Sequence, residues 1–190
     1  MLRSSAHPSG RAGDRLPAGA VCAPIAAFLL TAAIWTAVLL LFGIAPFGKE
    51  SLLITDLGQQ YAEYHIALYD AVKSGGSLLY TWNGGLGMNF LGLFAYYLAS
   101  PFTALILLFP RALLPEALLV IISLKIGGSA ATMSIFLRQG GGVRGAANPL
   151  FSAMYALSGY TCAFFFNLMW FDVVFLLPLV LLGVRRVADG

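Results

Sequence analysis

Few carboxylates occur in this chain, and two of them stand where a carboxylate can act. Asp56 opens the run Asp56-Leu57-Gly58-Gln59-Gln60-Tyr61, and Asp172 closes Asn167-Leu168-Met169-Trp170-Phe171-Asp172. At a membrane surface, with amides and aromatic rings beside it, a carboxylate takes a proton from a sugar hydroxyl or holds a divalent cation such as Mg or Mn. Gln60 and Tyr61 are then the substrate-binding neighbours of Asp56, which is also the candidate metal ligand. A plainer reading stands beside each. Asp is a preferred helix N-cap, and Gln59 follows Asp56 at capping-box spacing, while Asp172 is open to being a simple loop acid.

Two cations and one loop complete the chemistry. Lys125 lies in Leu124-Lys125-Ile126-Gly127-Gly128, inside an otherwise uncharged apolar run. An intramembrane charge is costly and points to function by default; a lipid phosphate is one partner for it, and snorkelling or an acid elsewhere is the other account. Arg111 is a second candidate for a phosphate. Trp82 and Asn83, in Tyr80-Thr81-Trp82-Asn83-Gly84-Gly85-Leu86-Gly87, suit stacking on a sugar and hydrogen bonding to it. An ordinary interfacial loop fits them equally well, and its glycines follow no nucleotide-binding pattern. Cys22 and Cys162 have no metal or disulfide spacing and read as buried, inert thiols. His65 and His7 also lack a metal-spaced partner.

The elements that must position these groups are membrane helices. Of 190 residues, 59% are hydrophobic and only 10% charged, too little charge to solvate a water-soluble domain. Aromatic residues at 13% exclude a disordered chain. The bases are scattered in ones and twos rather than clustered, so no nucleic acid is expected as a partner. The predicted fold class is all-α, a polytopic transmembrane bundle in a lipid bilayer.

The leader, residues 1–20, carries Arg3, Arg11 and Arg15 and predicts a cytoplasmic N-terminus. An uncleaved first span covers 21–43, too long for a signal peptide. An extracytoplasmic loop covers 44–114. Within it Leu57, Tyr61, Tyr64, Leu68 and Val72 recur at helical spacing, which predicts an amphipathic helix along the membrane face, ended by Gly75-Gly76. The segment 90–109 is long enough to span but is broken by Ser100-Pro101. If it spans, four bases lie inside and six outside. If it re-enters on the outer side, seven lie inside (Arg3, Arg11, Arg15, Arg138, Arg144, Arg185, Arg186) and three outside (Lys49, Lys73, Arg111). The positive-inside rule favours the second. A second span then covers 115–137, a cytoplasmic turn 138–146, a third span 147–166, a short outer loop 167–172, and a fourth span 173–186. The chain stops just after that helix, which predicts a fragment of a longer protein.

Several runs, in order, resemble the YfhO family of bacterial membrane proteins. They are Asp56-Leu57-Gly58-Gln59-Gln60-Tyr61, the Tyr80–Gly87 loop, Tyr96-Tyr97-Leu98-Ala99-Ser100-Pro101-Phe102, Leu124-Lys125-Ile126, Met154–Tyr160, and Trp170-Phe171-Asp172 with Leu177-Pro178-Leu179. The family is similar to GT-C glycosyltransferases. The resemblance implies a multi-pass protein of the bacterial plasma membrane that moves a sugar from a polyprenyl-phosphate donor to a cell-wall polymer acceptor, such as lipoteichoic acid, on the outer face. It implies that Asp56 is base or metal ligand, that Asp172 is the acid of the second outer loop, and that a fragment alone is inactive. A lipid-linked-sugar transporter or flippase, or a non-catalytic membrane subunit, is the competing class.

Overall fold

The computed structural model describes residues 18–190, and the leader's Arg3, Arg11 and Arg15, on which the cytoplasmic N-terminus rests, lie outside them. Long apolar runs form long helices: α1 (Ala18–Leu41), α4 (Leu114–Gln139) and α7 (Leu168–Ala188). Three stretches, Val21–Leu41, Arg111–Gln139 and Leu168–Ala188, are long and apolar enough to cross a membrane. Helix α4 is the hub. It packs against α1, α5 (Ala147–Ala156), α7 and helix α2 (Ala62–Ser74). Its Ala117, Leu118, Ile121, Ile122 and Ile126 are almost fully buried, whereas α1 and α7 expose Leu29, Leu41, Val173 and Val184. An apolar outward surface of this kind is suited to lipid, since hydrocarbon exacts no penalty for exposed leucines.

The region between α1 and α4 holds most of the candidate site residues. Helix α2 ends at Gly75, whose left-handed backbone (φ 70°) closes it as the Gly75-Gly76 pair predicts. Its buried stripe differs from the predicted one: Leu57, Tyr61, His65 and Leu68 are buried, while Val72 is 41% exposed. The helix therefore turns its apolar face onto protein, and His65 occupies a place in that stripe. Two short strands, β1 (Tyr80–Thr81) and β2 (Met88–Asn89), pair antiparallel as a hairpin. Gly87 (φ +103°) must be glycine here, because a Cβ would strike the Tyr80 hydroxyl. Next come α3 (Phe90–Leu93), a π-helical stretch Phe94–Leu98 and a 3-10 helix Pro101–Leu108. The two arms, Phe90–Leu98 and Pro101–Leu108, meet at 104°. The break falls at Ser100-Pro101, where proline disfavours a helical Ser100, and Ser100 is extended (φ −116°, ψ 138°).

Three expectations are corrected. The segment 147–166 is not one helix: it divides into α5 and α6 (Gly159–Phe164), because Leu157 and Ser158 leave helical geometry (Ser158 ψ 164°). The run 167–172 is not a loop, since α7 begins at Leu168 and carries Asp172 in its second turn. Cys22 and Cys162 are exposed on their helices rather than buried.

Candidate functional site

Around Asp56 the backbone is unusual. Thr55 holds φ 45°, a left-handed conformation that a β-branched residue adopts only under strain. Leu57–Tyr61 is then wound as a π-helix, a form concentrated at functional sites. Gly58 makes this winding possible: a Cβ there would lie 2.7 Å from the Leu53 carbonyl oxygen. Asp56 itself makes no side-chain capping bond. The predicted capping box is absent: Asp56 has helical torsions (φ −63°, ψ −26°) rather than the extended ones of an N-cap. Asp56 is half-buried, and its carboxylate is not committed to the helix it precedes.

A cluster of tyrosines follows Asp56 closely enough to feel its charge. Burial, the neighbouring Tyr97 and the Asp56 charge together push the Tyr61 hydroxyl well above the ordinary phenol range. Tyr61 is 1% exposed. Its hydroxyl lies beside the Met169 backbone without a well-aligned hydrogen bond, and an orphan buried hydroxyl calls for a partner. The Tyr97 ring meets Tyr61 edge-on at 5.6 Å, Tyr64 at 4.9 Å and Tyr96 at 4.7 Å. Gln60, half-buried, lies on the same π turn.

Directly below, His65 Nδ1 donates to the Tyr61 carbonyl oxygen at 2.6 Å, which fixes that nitrogen as the protonated one. Burial first, and the nearby Lys125 charge, lower its pKa from 6.5 to about 4. The imidazole is thus neutral at physiological pH. A folded pKa below the unfolded one means that the unfolded chain binds more protons between those values, so stability falls as pH drops from 6.5 towards 4. The loss should approach roughly 3 kcal/mol, since each pKa unit is worth about 1.4 kcal/mol. Thermal unfolding of the purified protein against pH checks this: His65→Gln should flatten the profile across that window, and an unchanged slope would contradict it.

Lys125 and Asp172 come together. The Lys125 ammonium is 2.9 Å from Asp172 Oδ1 and donates to the Leu168 carbonyl oxygen at 2.9 Å. It also stands 5.7 Å over the Phe102 ring. Ser100 Oγ donates to the same Asp172 oxygen at 3.1 Å. Lys125 is 1% exposed and the Asp172 side chain about a quarter exposed. Of the accounts open to Lys125, pairing with an acid is the one realised, and the acid is Asp172. The pair ties α7 and the Ser100 bend to α4, and so fixes the Met169 backbone beside Tyr61.

Trp82, Asn83 and Arg111 lie elsewhere, in an open cleft over the other flank of α2. Arg111 forms a two-pronged pair with Asp70, Nε to Oδ1 at 2.8 Å and Nη2 to Oδ2 at 3.0 Å. That guanidinium holds the Asp70 carboxyl below its usual range. Asp56, Gln60 and Tyr61 therefore form one group, Lys125 and Asp172 adjoin it through Tyr61 and Met169, and Trp82, Asn83 and Arg111 form a separate group. For a divalent cation the donor set is thin: among the described residues no three His, Cys, Asp or Glu side chains converge. Among the described residues Asp56 alone does not make a Mg or Mn site.

The decisive comparison is with family models. The model of the bacterial membrane protein YfhO matches residues 26–190. The chain belongs to the YfhO family. No curated protein and no solved structure matches it. In this YfhO-family chain the match begins inside α1 and takes in every residue of both groups, including the π turn, the Ser100 bend and the Lys125–Asp172 pair. Sequence reasoning missed Thr55, Ser100 and Tyr97 as members of the site, and set His65 aside. The signal for His65 was available, since it follows Tyr61 by one helical turn on the buried stripe. Nothing in the residue types signals the left-handed Thr55.

Proposed function

We propose that this YfhO-family protein is a membrane glycosyltransferase that moves a sugar from a polyprenyl-phosphate donor to a cell-envelope acceptor, such as lipoteichoic acid, on the outer face of the bacterial plasma membrane. The observation that carries the reading is the uncommitted Asp56 carboxylate, which follows the strained Thr55 and opens the π turn that carries Gln60 and Tyr61. In the proposed step the Asp56 carboxylate takes the proton of an acceptor hydroxyl. The hydroxyl oxygen bonds to the anomeric carbon with inversion, and the bond from that carbon to the phosphate oxygen breaks, leaving polyprenyl phosphate with the electron pair. Gln60 and the Tyr61 hydroxyl are placed to hydrogen-bond the sugar. Asp172 and Lys125 act as positioning residues, because their pairing holds the α7 wall of the site. Neither Lys125 nor Arg111 is free to clamp phosphate while paired as described.

One observation favours a second reading. A buried lysine–aspartate pair within apolar helices is also how membrane transporters build ion and substrate pathways. On that reading the protein would carry the lipid-linked sugar across the bilayer and break no bond.

The transferase reading requires Asp56 outside. With Cys22 and Cys162 replaced by alanine, a cysteine at Leu86, which is 97% exposed at the hairpin tip, should react with an impermeant maleimide on intact cells. A cysteine at Gly141, exposed in the turn after α4, should react only after permeabilisation. Labelling of Gly141 from outside, with Leu86 protected, would place Asp56 and Asp172 together on the cytoplasmic side and contradict the transferase reading.

A further inference from the structure

The cleft across α2 from Asp56 has a chemistry of its own. One part, about 390 Å³, is lined by Asp70, Ser77, Tyr80, Trp82 and Asn83. An adjoining part, about 300 Å³, is bounded by Glu63, Arg111 and Met88. Asp70, Thr81, Asn83 and Phe90 line both, so the two form one trough, and each part is of the size of a small-ligand pocket. Its floor is apolar, from Phe90 and Ala67, and its rim is polar. Trp82 is 77% exposed at the rim and is held in place edge-on by Tyr80 at 5.1 Å. An indole kept rigid and uncovered offers a stacking face at little cost in conformational freedom.

Charge narrows the ligand. Arg111 is spent on Asp70 through both prongs, and Glu63 adds a further carboxylate to the lining. The ionised side chains of the trough therefore carry more negative than positive charge. A phosphodiester polymer would meet repulsion there. An uncharged polyol would instead find carboxylate oxygens accepting its hydroxyl protons, guanidinium and amide N–H groups donating to its oxygens, and an indole under its C–H face. We infer that this trough binds an uncharged saccharide, as a subsite for the sugar portion of the acceptor or product. Its part in transfer rests on the proposed function, whereas the binding itself does not.

The test is binding without donor, so that it stands or falls apart from catalysis. The full-length protein in nanodiscs is titrated with maltohexaose, cellohexaose and a glycerol-phosphate oligomer of similar length, read by saturation-transfer NMR and by tryptophan fluorescence. At least one neutral oligosaccharide should bind saturably and more tightly than the glycerol-phosphate oligomer. Trp82→Ala should weaken it about tenfold or more, the scale of a central aromatic contact, and Trp82→Phe should restore part of the loss. The exposed position of Trp82 makes either change tolerable to the fold. Asp70→Asn, by releasing Arg111, should improve binding of the glycerol-phosphate oligomer. Failure of both neutral oligosaccharides to bind at 10 mM (about the weak limit of a useful subsite), tighter binding of the anionic oligomer to the wild type, or binding unaffected by Trp82→Ala would each overturn the inference.

Discussion

Asp56→Asn should reduce sugar transfer by about 100-fold or more, the scale of a positioned general base, with expression, membrane insertion and thermal stability unchanged. The two halves of that expectation come from different observations. Asn is nearly isosteric with Asp, and Asp56 makes no side-chain capping bond, so the helix loses nothing when the charge goes. A base needs the negative charge, so the chemistry loses its proton acceptor. Glu50→Gln serves as control for the mere removal of a carboxylate from the connection between α1 and α4, since Glu50 is exposed and outside the group around Asp56. Transfer rates in proteoliposomes measure the effect. An Asp56→Asn protein that keeps most of its rate would remove Asp56 from the reaction.

The second large effect concerns the Lys125–Asp172 pair. Removing one partner of a buried pair leaves the other uncompensated, at a cost of about 3–5 kcal/mol. Asp172 retains some exposure, so Lys125→Met should fall near the lower end of that range. The double variant Lys125→Met, Asp172→Leu should recover most of the stability, because two apolar side chains of similar volume leave no charge behind. A double-mutant cycle on thermal unfolding in detergent gives the coupling directly. Independent, additive effects would show that the 2.9 Å contact contributes nothing to the fold. Restored stability without restored transfer would mark the pair as holding the site in place.

Much of this architecture was legible from residue types alone. Long apolar runs with few charges lead to α1, α4 and α7, and Ser100-Pro101 marks the bend that the structure places at 104°. Gly75 ends α2 because only glycine enters the left-handed region without strain. Less legible was anything decided by backbone winding. Asp56 followed by Gln59 has capping-box spacing, but Asp56 takes helical torsions rather than those of an N-cap, and Gly58 lets the π turn pass close to the Leu53 carbonyl. Apolarity likewise suggested a continuous helix at 147–166, whereas Leu157 and Ser158 break it by torsion alone. The Lys125–Asp172 pair was half legible: each residue stood out, but their meeting depends on α7 starting at Leu168 and running beside α4. That start turns a loop acid into a helical one, aimed at a buried ammonium.

Transfer and transport differ in one bond, and a doubly labelled donor reads it. Polyprenyl phosphate carrying ³²P in the phosphate and ¹⁴C in the sugar is supplied to proteoliposomes with an envelope acceptor outside. Transfer by the proposed route predicts that ¹⁴C appears in the acceptor while ³²P stays with the lipid, and that Asp56→Asn stops the separation. If both labels cross the bilayer together and never part, no sugar–phosphate bond is broken and the assignment of Asp56 as a catalytic base is wrong.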